Sequence, residues 1–248
     1  MTTKPVRVAM WSGPRNLSTA MMRAWENRPD TEVLDEPLYA HYLDATGLNH
    51  PGRDEILATY PTSAAQAIAR CLARAPAGID IVFQKHMSHH LLPGMEGPWL
   101  DSLRHVLLIR HPVEVLASFT AVHPEAEATI TVADLGLPQQ LALAERAELI
   151  LDAGDFLIAP ENYLAVLCET LDVPVQAEAM TRWPAGSRPS DGCWSRFWYQ
   201  SVEASTGFGP PVPPSRRAQR ADLAPRLQAV ADEAVDLYDV LASHRLVL

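Results

Sequence analysis

The stretch Trp11-Ser12-Gly13-Pro14-Arg15-Asn16-Leu17-Ser18-Thr19 limits the possible folds more than any other part of the chain. An apolar run from Val6 to Trp11 leads into it, and a helical pattern from Leu17 to Trp25 leads out. The reading is a strand, a tight turn and a helix N-terminus. A helix start carries unpaired N–H groups and the positive end of the helix dipole. Set after a strand and a Gly-bearing turn, it makes an anion site of the kind that takes phosphate. Ser18 and Thr19 add hydroxyl groups, and Arg15 adds a fork of donors matched to a doubly charged oxyanion. The same nine residues also read as an ordinary first helix, with Gly13-Pro14 as the turn and Asn16 or Ser18 as the cap. Both readings stay open on this stretch alone.

Further along, strands and helices alternate. Thr31 to Leu34 reads as a strand that ends in Asp35-Glu36-Pro37. Tyr39 to His50 shows no clear period. Arg53 to Tyr60 and Ser63 to Ala75 read as helices, Ile79 to Phe83 as a buried strand followed by Gln84-Lys85-His86, and Met87 to Leu92 as a short helix. Arg104 to Ile109 is apolar enough for a central strand. Pro112 suits the first turn of a helix over Val113 to Thr120. Ala121 to Gly136 is irregular, Leu137 to Ala153 reads as one long amphipathic helix, Phe156 to Ala159 as a short strand and Glu161 to Leu171 as a helix. Arg182 to Arg220 loses periodicity but holds Trp183, Trp194, Trp198, Tyr199 and Phe208, the pattern of a functional cover. Asp222 to Ala242 closes as a helix. The alternation predicts one α/β domain over 1–248 with a central, mostly parallel sheet flanked by helices, plus an irregular aromatic-rich cover at about 182–220. In such sheets ligands bind at the C-terminal strand ends. The Ser12–Thr19 turn, Asp35-Glu36, Lys85-His86 and Arg110 all fall at predicted strand ends.

Composition excludes several classes. At 248 residues the chain is long enough for a core that needs no disulfide or structural metal. The formal charge of −10 argues against broad contact with nucleic acid or an acidic membrane, though not against a local basic pocket. No apolar run reaches the length of a membrane span, the N-terminus does not read as a signal peptide, and Cys71, Cys168 and Cys193 form no CxxC pair. A soluble protein of a reducing, cytoplasmic compartment is expected.

Four candidates compete for chemistry. The turn lacks the second Gly and the Lys of the nucleoside-triphosphatase loop, which disfavours a Mg-ATP hydrolase or kinase. Arg110 and Ser118, eight positions apart, could share a ligand or be a surface Arg and a small helix residue. His86, His89 and His90 have spacings seen in zinc sites, but a third ligand is lacking and no metal is expected. His86, beside Lys85 at a strand end, can act as a base near neutral pH. Asp35-Glu36 offers a base if burial raises it, or a cap or a partner for Arg15.

Together these pieces resemble the sulfotransferase family. Pro14-Arg15-Asn16-Leu17-Ser18-Thr19 is similar to its phosphosulfate-binding loop, with Arg15 where a Lys is usual. Arg110, Pro112 and Ser118 match the signature that grips a 3′-phosphate. Gln84-Lys85-His86 and Leu91-Leu92-Pro93 resemble the region that carries a base His in some branches, and Glu36 stands where other branches carry a base Glu. A fuller match links Trp-Ser-x-Pro-Arg-x-Leu-Ser-Thr, Asp-Glu-Pro-Leu-Tyr-Ala, Lys-His and Trp194 to Phe208 with a sulfotransferase-like group. That group includes plant proteins named for a resemblance to branched-chain aminotransferases; no aminotransferase pattern is present here.

The resemblance implies a P-loop NTPase-like three-layer fold. The implied donor is 3′-phosphoadenosine 5′-phosphosulfate, and the implied reaction is transfer of its sulfuryl group to a hydroxyl or amine of a small acceptor. Ser12, Gly13, Arg15, Asn16, Leu17, Ser18 and Thr19 would hold the 5′-phosphosulfate, and Arg110 with Ser118 the 3′-phosphate. Arg15 and Lys85 would stabilise the leaving phosphate, and His86 or Glu36 would take the acceptor's proton. Asp191-Gly192-Cys193-Trp194 would replace the family's Gly-rich donor segment. The alternatives are a small-molecule kinase with the same loop and a non-catalytic nucleotide-binding protein.

Overall fold

The structure is a computed structural model that describes residues 5–248. Its centre is a sheet of five parallel strands: β1 Val6–Ser12, β2 Thr31–Asp35, β3 Ile81–Met87, β4 Arg104–Ile109 and β5 Ala147–Asp152, in the spatial order β2-β3-β1-β4-β5. β1 lies in the middle because it is apolar on both faces. Strand residues alternate between faces, and the two sides enter separate cores. Val8 and Met10 pack with Phe83, Val106 and Leu151 on one side. Ala9 and Trp11 pack with Leu107, Ile109 and Ile150 on the other. With helices covering both faces, the strands can be almost wholly hydrophobic.

The helices fill the crossovers. α1 Ser18–Glu26 follows β1 and buries Met21, Met22 and Trp25 on the first face. α2 Tyr39–Thr46 follows β2, with α3 Arg53–Thr59 and α4 Ala64–Cys71 after it. α5 Pro112–Val122 follows β4 with Pro112 in its first turn, then α6 Leu137–Leu143, α7 Ala153–Phe156 and α8 Pro160–Thr170. The C-terminal helix Pro225–Ala242 lays Leu227, Ala231, Ala234 and Leu241 on the second face. Among the described residues, no helix is long and apolar enough to cross a membrane.

The architecture is the P-loop NTPase-like three-layer α/β fold that the alternation and the resemblance implied. Several elements differ from the sequence reading. The expected helix Leu137–Ala153 is helical only to Leu143. A turn at Ala144–Arg146 follows, and Ala147–Asp152 is the fifth strand. The short apolar run Leu149-Ile150-Leu151 suits either period, and the free edge of β4 supplied ladder partners that the sequence does not reveal. The expected strand Phe156–Ala159 is instead the end of the one-turn helix α7 and the approach to α8, with Phe156 fully buried. Tyr39–His50 contains helix α2, closed by Gly47 in the left-handed conformation. The helix expected at Met87–Leu92 shrinks to a single turn, Ser88–His90. β3 runs to Met87 rather than stopping at Phe83, so Gln84, Lys85 and His86 are strand residues. All three are buried, and polar side chains in a covered strand mislead a reading based on hydrophobicity.

Candidate active site

At the C-terminal ends of β1, β2 and β3 lies a cleft of about 340 Å³. One end is the turn after β1, with Pro14, Arg15, Asn16, Ser18 and Thr19. The far wall carries Tyr39, Tyr42, His50, His89, His90 and Trp198. Glu36, Lys85 and Tyr199 also line the cleft. A broader, shallow depression lined by Asn27, Arg182, Trp183 and Phe208 offers Arg182 as its one titratable group, which gives it no acid–base pair.

The turn is shaped by close contact. A Cβ on Gly13 would sit 2.3 Å from the Leu135 carbonyl oxygen, so only Gly fits there. Asn16 donates to the Leu108 carbonyl at 2.8 Å and accepts from the Leu17 N–H at 2.8 Å, which ties the turn to β4. Among the described residues no side chain caps α1, so its first N–H groups are left to a ligand or to solvent. Arg15 adopts φ 53°, left-handed for a residue with a Cβ. Such strain costs about 1–3 kcal/mol and collects at functional sites. Its Nε donates to Ser118 Oγ at 3.2 Å, and its carbonyl accepts from Arg110 Nη1 at 2.7 Å. Arg110 and Ser118, linked in sequence only by spacing, therefore meet at Arg15. Burial, and then repulsion by Arg110, pulls the Arg15 guanidinium below its ordinary value. Neither Arg110 nor Ser118 lines the main cleft; they flank it behind Arg15. Glu114 accepts from Arg110 Nε at 3.1 Å and approaches Arg217 Nε at 3.8 Å. Arg217 comes from the aperiodic segment, where no sequence signal marks it.

A second charged group surrounds Lys85. Its Nζ donates to Asp35 Oδ1 at 3.1 Å, to the Tyr199 hydroxyl at 2.6 Å, and to Glu36. Those three bonds use every N–H of the ammonium. The Tyr199 hydroxyl donates to Asp35 and accepts from Trp194 Nε1 at 3.2 Å; the Gly192 N–H donates to Asp35 Oδ2 at 3.0 Å. Burial alone would lower the Lys85 ammonium, but Asp35 and Glu36 outweigh it and hold it above its ordinary value. Burial raises the Glu36 carboxyl above the usual range; Lys85 opposes the rise and the charge on Asp35 adds to it. Glu36 adopts φ 35° directly after β2, and its N–H still bonds the Lys85 carbonyl at 2.9 Å. Its other oxygen lies 4.0 Å from His90 Nδ1.

His86 goes elsewhere. Lys85 and His86 are successive residues of β3 and must face opposite sides of the sheet. Lys85 shares its side with Asp35, its register partner on β2. His86 stacks on Trp11 with ring centroids 4.2 Å apart and bonds Gln84 Oε1 at 3.1 Å. Burial, with His105 and Lys85 adding, lowers it to about 3. The structure does not bring His86 to the cleft. Nor do Asp191 to Trp194 reach it. Asp191 forms a buried ion pair with Arg23 at 2.6 Å, and Trp194 is packed against Tyr39 and Tyr60. Of the aromatic segment, Trp198 and Tyr199 line the cleft, while Trp183 and Phe208 pack with each other and Phe208 on Phe156.

The far wall is aromatic. Tyr39 stacks on His90 at 4.7 Å and its hydroxyl meets His50 Nδ1 at 2.9 Å. Burial pulls His50 down, His89 to about 4, and His90 well below its ordinary value, so all three are neutral at neutral pH. The cleft thus offers a cationic end at Arg15, the raised carboxylate of Glu36, and an aromatic wall whose histidines are neutral and which carries the carboxylate of Asp134.

The family model described as a sulfotransferase domain matches residues 6–239. Over 244 residues the chain is 34% identical to branched-chain-amino-acid aminotransferase-like protein 1 of Arabidopsis thaliana, covering 97% of this chain and 42% of that protein. It is 33% identical to protein 2 of that name from the same plant over 237 residues, 94% of this chain and 41% of the relative. The chain therefore spans less than half the length of these curated relatives. Among solved structures, a sulfotransferase from Alicyclobacillus acidocaldarius matches with TM-score 0.58 at 14% identity, covering 99% of this chain and 98% of that one. The sulfotransferase domain of the Synechococcus PCC 7002 olefin synthase matches with TM-score 0.50 at 17% identity, covering 94% and 96%. These likenesses are of fold.

Proposed function

The chain belongs to the sulfotransferase family, and from that premise we propose that the cleft moves a sulfuryl group from 3′-phosphoadenosine 5′-phosphosulfate to a hydroxyl or amine of a small acceptor. The observation that carries the reading is the guanidinium of Arg15. It sits on a strained backbone at a helix N-terminus, pressed towards a second guanidinium and bonded to Ser118. Arg110 is paired with Glu114, whereas Arg15 has no carboxylate partner among the described residues, so an anion beside Arg15 is favoured.

In the reaction the bond from sulfur to the bridging phosphate oxygen breaks, and its electron pair leaves with the adenosine bisphosphate. A new bond forms from sulfur to the acceptor oxygen or nitrogen, and the acceptor's proton passes to Glu36. Arg15 and the first N–H groups of α1 stabilise charge growing on the leaving phosphate. Glu36 suits the base because its proton affinity is raised and it lines the cleft. Lys85 has no N–H left for the donor; it acts by holding Glu36 and Asp35 in place. The 3′-phosphate is assigned to Arg110 and Ser118. Ser118 accepts from Arg15 and keeps its own O–H to donate to that phosphate.

Melting temperature tests the donor, because a ligand of the native state raises it. 3′,5′-Adenosine bisphosphate should stabilise the protein and ADP with Mg²⁺ should not, and Arg110→Ala should erase the difference. Stabilisation by ADP alone would instead favour a kinase.

A further inference from the structure

The two ends of the cleft differ in charge, and the difference bears on the acceptor. Its cations are Arg15, at the turn, and Lys85, whose N–H groups are all consumed. The far wall holds one carboxylate, Asp134. Its Oδ2 accepts from the Thr131 N–H and hydroxyl, both at 2.7 Å. Its Oδ1 has no donor and its carboxylate no ion-pair partner among the described residues. Its charge reaches Tyr42, His50 and His89, so it faces the same wall. The two histidines stay neutral at neutral pH and cannot balance it. His89 Nδ1 is also buried without a partner.

We propose that the acceptor is a hydroxyl compound carrying an ammonium group, with Asp134 as the counter-ion of the ammonium; this rests on the sulfuryl-transfer reading of the cleft. An acceptor bearing a carboxylate would meet Asp134, which has no cationic partner among the described residues, beside a Glu36 whose one cation, Lys85, is fully engaged. An ammonium gains the free Asp134 oxygen, and the ring of Tyr42 is a favourable neighbour for a cation. The same ion pair keeps the amine protonated. The nitrogen then has no lone pair to attack sulfur, so the oxygen is the nucleophile and its proton goes to Glu36.

Three phenols of similar size separate the cases: tyramine, tyrosol and para-hydroxyphenylacetate, whose side chains end in an ammonium, a neutral hydroxyl and a carboxylate. With the phosphosulfate donor, kcat/KM should be highest for tyramine, about tenfold above tyrosol, and lowest for the carboxylate. Asp134→Asn should bring the tyramine-to-tyrosol ratio to about one, while Asp134→Glu should keep most of the preference. A carboxylate that reacts as well as the amine, a ratio unchanged in Asp134→Asn, or no turnover of any phenol by protein that the bisphosphate stabilises each overturns the proposal while the donor reading stands. Protein that the bisphosphate does not stabilise overturns both.

Discussion

Two charged groups border the cleft and differ in how complete they are. Around Lys85, every ammonium hydrogen, the Tyr199 hydroxyl and both oxygens of Asp35 have protein partners. Around Arg15, the guanidinium has no carboxylate partner and the first N–H groups of α1 have no capping side chain among the described residues. The first group is closed and buried, and its job is to hold one carboxylate. The second is open to the cleft, and an anion would complete it. Burial raises the stakes in both cases, but only the open one has work left for a ligand.

The largest expected effect comes from breaking the closed group. Lys85→Met leaves Asp35 and Glu36 as neighbouring buried carboxylates without their cation. It should cost about 3–5 kcal/mol of stability, read as a lower urea midpoint. A midpoint near that of the wild type would mean the group is not a unit. The next perturbs its output. Glu36→Gln should lower kcat about 10²–10⁴-fold, the usual worth of a general base. A base must be deprotonated, so activity rises with pH through the Glu36 titration. Asp35→Asn removes a negative neighbour that raises Glu36 and should move this acid limb to lower pH. A limb that stays put would take Glu36 out of the role.

The smallest effect sharpens the contrast with the other side of the sheet. His86 is held neutral, its folded value lowered to about 3 from 6.5. Between those values the unfolded chain binds the extra proton, so stability is full above pH 6.5 and falls as the pH drops towards 3. His86→Gln should flatten part of that fall, seen by comparing urea midpoints at neutral and mildly acidic pH. It should leave the acid limb of the rate profile unmoved. A shift in that limb would return His86 to the chemistry.

Much of the frame is legible in the amino-acid sequence. β1, the turn and α1 announce themselves because a buried strand and an amphipathic helix have different periods and Gly13-Pro14 separates them. β4 and α5 are legible for the same reason, with Pro112 marking the boundary. β5 is not, since its short edge strand carries no period that excludes a helix; only pairing with β4 decides it. The site divides likewise. Arg15, Glu36, Arg110 and Ser118 stand out by residue type and spacing. Tyr199 stands out only as one aromatic of the cover segment, without its role beside Lys85, and Asp134 and Arg217 lie in segments without periodicity where nothing local marks them.

What the residues determined unaided was the alternating α/β frame through β4 and α5, the strand–turn–helix after β1 and the kinship with sulfotransferases, because these rest on local periodicity and short motifs. The tertiary structure decided what each polar residue does. Lys85 and His86 are neighbours in sequence, yet the pleat of β3 sends one to the charged group beneath Tyr199 and the other onto Trp11. Arg15 and Ser118 are far apart in sequence, yet the parallel pairing of β1 with β4 brings them into contact. Side-chain direction and strand pairing are properties of the assembled sheet, and chemistry follows them.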